Sequence, residues 1–376
     1  MRCRTNCAKQ VLASTIFIRQ CIVCYKDYQK MFDKMKTITR LGYIKQLKSL
    51  ARQALNNYDL KVIGITFISQ QENTVFKVVA ENNNIGKTSG NNIFKYGVYL
   101  LRICRQNRYE PITIQSELSW LSFLSKNSNL EISEPILNCD RSFLTIAIVP
   151  ETLEQKYCVL FKWLSGRFIQ TGLTNKTVKQ VGAFLGQLHN YSQQFKPPKA
   201  FNRPKWDEDG LFGSPLIELP SDNNLFPQSG KKILQLATSE IRSSLATLKQ
   251  NTETFGLIHN DLHLGNCVFD RDKIKVFDFD DCGWGYYLYD LTTYLYYLDR
   301  EENFASLQAS LFEGYLSKRS LPEQYEFYLE AMIAARRLYL MKYFLLRKDD
   351  PQFKKTIPKF INHTIEQMNQ FLQRLA

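Results

Sequence analysis

The sequence predicts an α+β chain, with an N-terminal antiparallel sheet and one helix followed by a mainly helical C-terminal part. Three observations carry this. Between residues 60 and 163 the apolar positions fall in short runs rich in Val, Ile, Phe and Tyr, as strands require. Beyond residue 175 they recur every three to four residues over helix-length segments. A short strand-and-loop stretch, Phe255–Phe279, interrupts those helices and holds the densest set of polar residues.

The elements follow in order. Residues 36–56 read as a basic amphipathic helix with Ile38, Leu41, Ile44, Leu47, Leu50 and Ala51 on one stripe. Leu60–Ile68, Asn73–Ala80 and Ile93–Arg105 read as strands, the last two joined by a polar hairpin loop, Glu81–Asn92. Pro111–Leu124 returns to helical spacing, and Ser142–Ile148 and Lys156–Trp163 are two further strands. Helices are expected over Asn175–Gln194, Lys231–Lys249, Tyr286–Leu298, Glu302–Leu316, Glu323–Leu346 and Pro358–Leu375. Three segments result: a basic extension and helix over 1–56, a sheet domain over 57–164, and a helical domain over 165–376.

Composition excludes several classes. The 376 residues are 44% hydrophobic and 23% charged, an ordinary globular balance. The net charge is +13, but residues 1–56 hold +10 of it, so the rest gives little support for a nucleic-acid partner. No apolar run is long enough to span a bilayer. Val11–Ile18 has no clear cleavage site after it, so a secretory signal is not expected. Nine scattered cysteines argue for a reducing, cytoplasmic setting. Cys3, Cys7, Cys21 and Cys24 lack the surroundings of a zinc site. Met31 and Met35 precede a more regular sequence, and the first thirty residues read as an upstream-start artefact or a disordered extension.

The chemistry concentrates in His259-Asn260-Asp261-Leu262-His263-Leu264-Gly265-Asn266 and in Val276-Phe277-Asp278-Phe279-Asp280-Asp281. Cys267–Phe269 and Ile274–Phe277 look like paired strands, which would bring Asn266 and Asp278 to one open end. Hard oxygen ligands there suit Mg²⁺ with phosphates and water completing its shell. Asp261 is then available to accept a hydroxyl proton.

These segments resemble the aminoglycoside phosphotransferase family, which includes choline kinases, fructosamine kinases and stress response kinases. The resemblance covers about residues 57–350 and departs from the family's His-Gly-Asp-Leu-His-x-Gly-Asn only at Asn260. It implies a bilobal, protein-kinase-like fold, ATP and Mg²⁺ as cofactors, Asp261 as catalytic base, and Asn266 and Asp278 as metal ligands. His263 falls where it would touch the γ-phosphate or, alternatively, pack the loop. His259 is expected to hold the loop by hydrogen bonds, and Asp290 to brace it.

A kinase also needs a strand cation for the α- and β-phosphates and a helical Glu to orient it. Arg102 in Tyr99–Ile103 and Glu117 in Ser116–Leu118 are that pair. Gly86-Lys87-Thr88 mimics a P-loop end, but Glu81 stands where its first Gly is required. The Ser69–Val75 loop instead resembles the family's phosphate-covering loop, with Ser69 as a contact. Val159–Gly166 resembles the hinge. Backbone near Phe161 and Trp163 would meet adenine, over an apolar floor of Val268 and Phe277.

The acceptor site is less specified. Asn202–Gly213 with Asp280 and Asp281 suits a cationic or polyhydroxyl acceptor, Arg336 and Arg337 an anionic one, and either set reads equally as solvated surface. The function expected is transfer of the γ-phosphate of ATP to a small-molecule hydroxyl. The alternatives are a protein serine/threonine kinase of the stress response type and a non-catalytic nucleotide-binding regulator. The sequence leaves the oligomeric state open.

Overall fold

A computed structural model describes residues 40–375 apart from 71, 82–95, 107, 151, 170, 213–225 and 349–350. The four N-terminal cysteines, the hairpin loop after Glu81 with its Gly86-Lys87-Thr88, and Gly213 lie outside the described residues. The chain divides into two compact units. The first runs to Ser122 and includes Ser133–Leu164; the second comprises Phe123–Ile132 and Ser165–Ala376.

The first unit opens with helix α1 (Arg40–Leu55). Strands β1 (Lys61–Gln70), β2 (Thr74–Glu81) and β3 (Tyr96–Ile103) follow, then α2 (Pro111–Asn127), whose last turn belongs to the second unit. After β4 (Glu131–Ile132), strands β5 (Thr145–Ile148) and β6 (Gln155–Lys162) complete an antiparallel sheet of order β1-β2-β3-β6-β5. Register assigns its faces. Phe76 pairs with Leu101 and Leu101 with Leu160, so all three lie on one side. They pack with Tyr43, Leu47, Leu50, Ala51, Ala54 and Leu55 of α1. The apolar stripe of this basic helix is therefore part of the core, and an extension cut at residue 56 would remove it. Val75, Arg102 and Val159 occupy the opposite face.

The second unit is mainly helical. Its helices are α3 (Asn175–Gln194), the short α4 (Glu208–Phe212), α5 (Gln228–Ala246), α6 (Tyr287–Leu298), α7 (Phe304–Leu316), α8 (Tyr325–Leu345), α9 (Pro351–Lys354) and α10 (Ile357–Leu375). Thr174 caps α3, its hydroxyl accepting from the Thr177 amide. Two small sheets sit among them. In one, β10 (Lys273–Val276) pairs with β4 on one side and β9 (Cys267–Asp270) on the other; in the second, β11 (Gly283–Tyr286) lies between β7 (Lys205–Trp206) and β8 (Phe255–Ile258). No helix among the described residues is long and apolar enough to cross a membrane.

Candidate active site

The polar loop lies between β8 and β9. Its entry is fixed by Asp290, fully buried on α6, whose carboxylate accepts from the His259 amide at 2.8 Å and the Asn260 amide at 2.6 Å. His189 of α3 meets the same carboxylate at 3.1 Å and the Tyr315 hydroxyl at 3.0 Å. Burial pushes the His189 pKa down, so the uncharged imidazole is the form that supports the Asp290 carboxylate. Asn260 takes the left-handed conformation, φ 68°, where glycine is easiest and Asn is tolerated. The Asp261 amide donates to His259 Nδ1 at 3.3 Å, while His259 Nε2 faces the Phe277 carbonyl at 3.1 Å. One ring thus ties the loop to the end of β10.

The β9–β10 hairpin sets the next two residues. Cys267 pairs with Val276, and the Phe277 amide donates to the Asn266 carbonyl at 3.0 Å. Asn266 and Asp278 consequently share one end of the hairpin. Asn266 Nδ2 donates to the Asp261 carbonyl at 2.9 Å, which commits the amide nitrogen and leaves Oδ1 as the acceptor of this side chain. Asp278 has a left-handed backbone, φ 64°, and an exposed side chain. One carboxylate and one amide oxygen fit a hard divalent cation that keeps phosphate and water ligands.

Asp261 is 27% exposed, and its Oδ1 accepts from Arg336 Nη2 at 2.8 Å. Enclosure pushes its carboxyl above the ordinary carboxylate value, Arg336 opposes the rise, and Asp281 adds to it. His263 is buried, with Nδ1 accepting from the Gly265 amide at 2.9 Å and Nε2 3.7 Å from Asp261 Oδ2. Its ring leans on Tyr297, with centroids 4.8 Å apart.

Arg102 and Glu117 of the first unit form a two-bonded pair, Nη1–Oε1 2.8 Å and Nη2–Oε2 2.7 Å. Both side chains are almost fully buried, and the guanidinium lies 5.1 Å from the Phe161 ring centre.

The structure places the other expected nucleotide contacts as follows. Ser69 is on β1, paired with Val75, rather than in the turn. In the segment expected to meet adenine, the Lys162 amide donates to Glu134 O at 2.9 Å and the Trp163 amide to Val98 O at 3.2 Å. Phe161 is buried in β6, its side chain under Arg102. Val268 is buried in β9, and a Cβ on Gly166 would meet its methyl at 2.8 Å, so this segment requires glycine. Phe277 packs edge-on against the half-exposed Phe168.

Arg336 is no solvated surface residue, being 2% exposed and paired with the loop. Arg337 instead pairs with Asp299 at 2.8 Å. Arg203 and Trp206 are also buried, and they hold the segment after Asp278: Arg203 Nε donates to Cys282 O at 2.7 Å and Trp206 Nε1 to Asp281 O at 2.9 Å. Neither role is marked in the sequence, where the signal is a cation and an indole in an irregular loop.

The chain matches the phosphotransferase enzyme family over residues 65–328. It is 24% identical over 269 residues to an amicoumacin kinase of Bacillus subtilis strain 168, covering 71% of each chain. The fold resembles that of a microcompartment-associated aminopropanol kinase, TM-score 0.72 at 24% identity, over 87% of this chain and 98% of that one. It also resembles an amicoumacin kinase in complex with AMP-PNP, Ca²⁺ and Ami, TM-score 0.68 at 18% identity, over 87% and 96%. With the family pattern spanning well over half of its length, the chain belongs to the phosphotransferase enzyme family, and its fold is kinase-like.

Proposed function

We propose that this phosphotransferase moves the γ-phosphate of ATP to a hydroxyl of a small molecule, with Asp261 as the base. The observation that carries this is the half-open Asp261 carboxylate beside the hairpin end that presents Asn266 and Asp278. Asp261 accepts the hydroxyl proton as the oxygen bonds to phosphorus and ADP departs. Asn266 and Asp278 would hold Mg²⁺, which supplies neutralisation of phosphate charge when bound. Arg102, oriented by Glu117, brings positive charge to the α- and β-phosphates, and His263 lies beside the base. Val268 and Phe277 form the adenine floor. Ser69 and the backbone at Phe161 and Trp163 are the remaining nucleotide contacts in this reading. Cytoplasmic residence, where ATP is at hand, belongs to the same reading.

A small acceptor is favoured by the segment after Asp278. Residues 279–281 form one helical turn, β11 follows at Gly283, and α6 begins at Tyr287. That leaves no length for an activation loop of a protein kinase. Aminopropanol, in the name of one neighbour, carries both a hydroxyl and an amine, so amino alcohols head the acceptor panel. The test is phosphoryl transfer from labelled ATP to that panel, with nucleotide titrations with and without Mg²⁺. Transfer to a small hydroxyl compound, together with loss of metal-dependent nucleotide binding in Asp278→Asn, is the expected result. Metal-dependent ATP affinity without transfer to any acceptor would instead identify a nucleotide-binding regulator.

A further inference from the structure

Arg336 lies in the middle of α8 with its charge buried, a position that is costly unless the guanidinium is well bonded. Its Nη2 donates to Asp261 Oδ1 at 2.8 Å, and its Nη1 donates to the Asn260 carbonyl at 3.3 Å. Nη2 also lies 3.4 Å from the Tyr297 hydroxyl, and the guanidinium sits 5.6 Å from the Tyr339 ring centre. Trp206 in turn packs edge-on against Tyr339, at 5.7 Å. The planar fork therefore grips the side chain of one loop residue and the backbone of its neighbour. The two partners are unequally enclosed: the Arg336 side chain is 2% exposed and that of Asp261 is 27%. The pair is closed on the helix side and open on the carboxylate side.

We infer that Arg336 is a positioning residue for phosphoryl transfer: by holding Oδ1 it fixes the rotamer of Asp261 and presents the Oδ2 edge to the acceptor hydroxyl. The inference rests on Asp261 being the base. A bound acceptor needs its oxygen within hydrogen-bond reach of that base, and small misplacements cost rate steeply. A lysine at 336 would supply a point charge but could not hold the carboxylate and the Asn260 carbonyl in one plane.

The test is a double-mutant cycle on the full chain, with kcat, the ATP KM and thermal melting measured for Arg336→Met, Asp261→Asn and the double variant. Arg336→Met is expected to lower kcat about tenfold or more while moving the ATP KM less than about threefold. In the Asp261→Asn background the same change should cost less than about threefold, because no basic carboxylate remains to be placed. An equal loss in both backgrounds, or a loss carried by the ATP KM, would overturn the inference. Should Arg336→Met fail to fold, Arg336→Lys takes its place in the same cycle. A kcat loss seen with Asp261 and absent with Asn at 261 supports positioning; equal losses, or full activity of folded Arg336→Lys, overturn it. Normal turnover by Asp261→Asn alone would sink the base assignment itself, a result readily told apart from an uncoupled cycle.

Discussion

Arg102–Glu117 of the first unit and Arg336–Asp261 of the second are both arginine–carboxylate pairs, and they are built differently. Arg102 and Glu117 meet through two parallel bonds, with side-chain exposures of 5% and 1%. Arg336 and Asp261 share one bond, with exposures of 2% and 27%. In the first, both carboxylate oxygens are bonded to the guanidinium and both partners are withdrawn from water. In the second, the arginine is fixed by several acceptors while the carboxylate keeps an open edge. The same two functional groups thus differ both in the number of bonds between them and in how far the carboxylate is enclosed.

The largest expected effect breaks the open pair. Asp261→Asn keeps the shape and a hydrogen-bond acceptor for Arg336 but removes the basic carboxylate. It should lower kcat by about 10² to 10⁴, with Mg²⁺-ATP affinity nearly unchanged. Turnover assays paired with calorimetric ATP titrations read both quantities. Normal turnover in a folded variant would show that this loop is not the catalytic one.

Breaking the closed pair should act on stability first. Glu117→Ala strands a buried guanidinium and should cost about 3–5 kcal/mol of folding free energy. Asp261→Ala should cost less, about 1–3 kcal/mol, because Arg336 keeps the Asn260 carbonyl and the gap opens to water. Denaturant unfolding of both variants orders them, and a reversed order would erase the distinction drawn from exposure. Arg102→Lys is the milder probe. It keeps the charge but cannot reproduce both bonds, so a loss of about 1.5–3 kcal/mol and a raised ATP KM are expected.

The sequence carried local information well and long-range pairing poorly. Asn175–Gln194 was legible to the residue because its apolar period is uninterrupted and Thr174 caps it. The β9–β10 hairpin was legible because two short apolar runs flank a polar turn. Arg102 and Glu117, 15 residues apart, could be matched because the strand–helix order restricts which residues can meet. Arg336 reads as an ordinary cation in its own helix; its partner lies 75 residues away, and no local pattern marks it. The stripe on α1 announced an apolar face but not what it covers, which is the sheet face opposite Arg102. Ser69 was misplaced in the connection because polar residues end β1: the strand continues through Gln70 and includes it.

The smallest effect is expected beside Asn266, at Cys267. Cys267 is fully buried in β9, where its thiol points weakly at the His263 carbonyl, at 3.6 Å. Burial pushes its pKa up from 9.0 to about 12, so the thiol stays neutral across the physiological range. A neutral, enclosed thiol is a poor nucleophile, and thiol reagents should leave the folded enzyme active. Cys267→Ala should keep kcat within about threefold and lose about 1 kcal/mol or less through the small cavity left behind. The sign of the pH effect follows from the raised value. The native state holds this proton more tightly than the unfolded chain, so the contribution is fully present below pH 9 and fades as pH rises toward 12. Comparing wild-type and Cys267→Ala unfolding at pH 7 and pH 10 measures it: the gap between them should narrow at the higher pH. A gap that widened, or rapid inactivation by a thiol reagent that ATP prevents and Cys267→Ala abolishes, would place a reactive thiolate at the site and overturn this account.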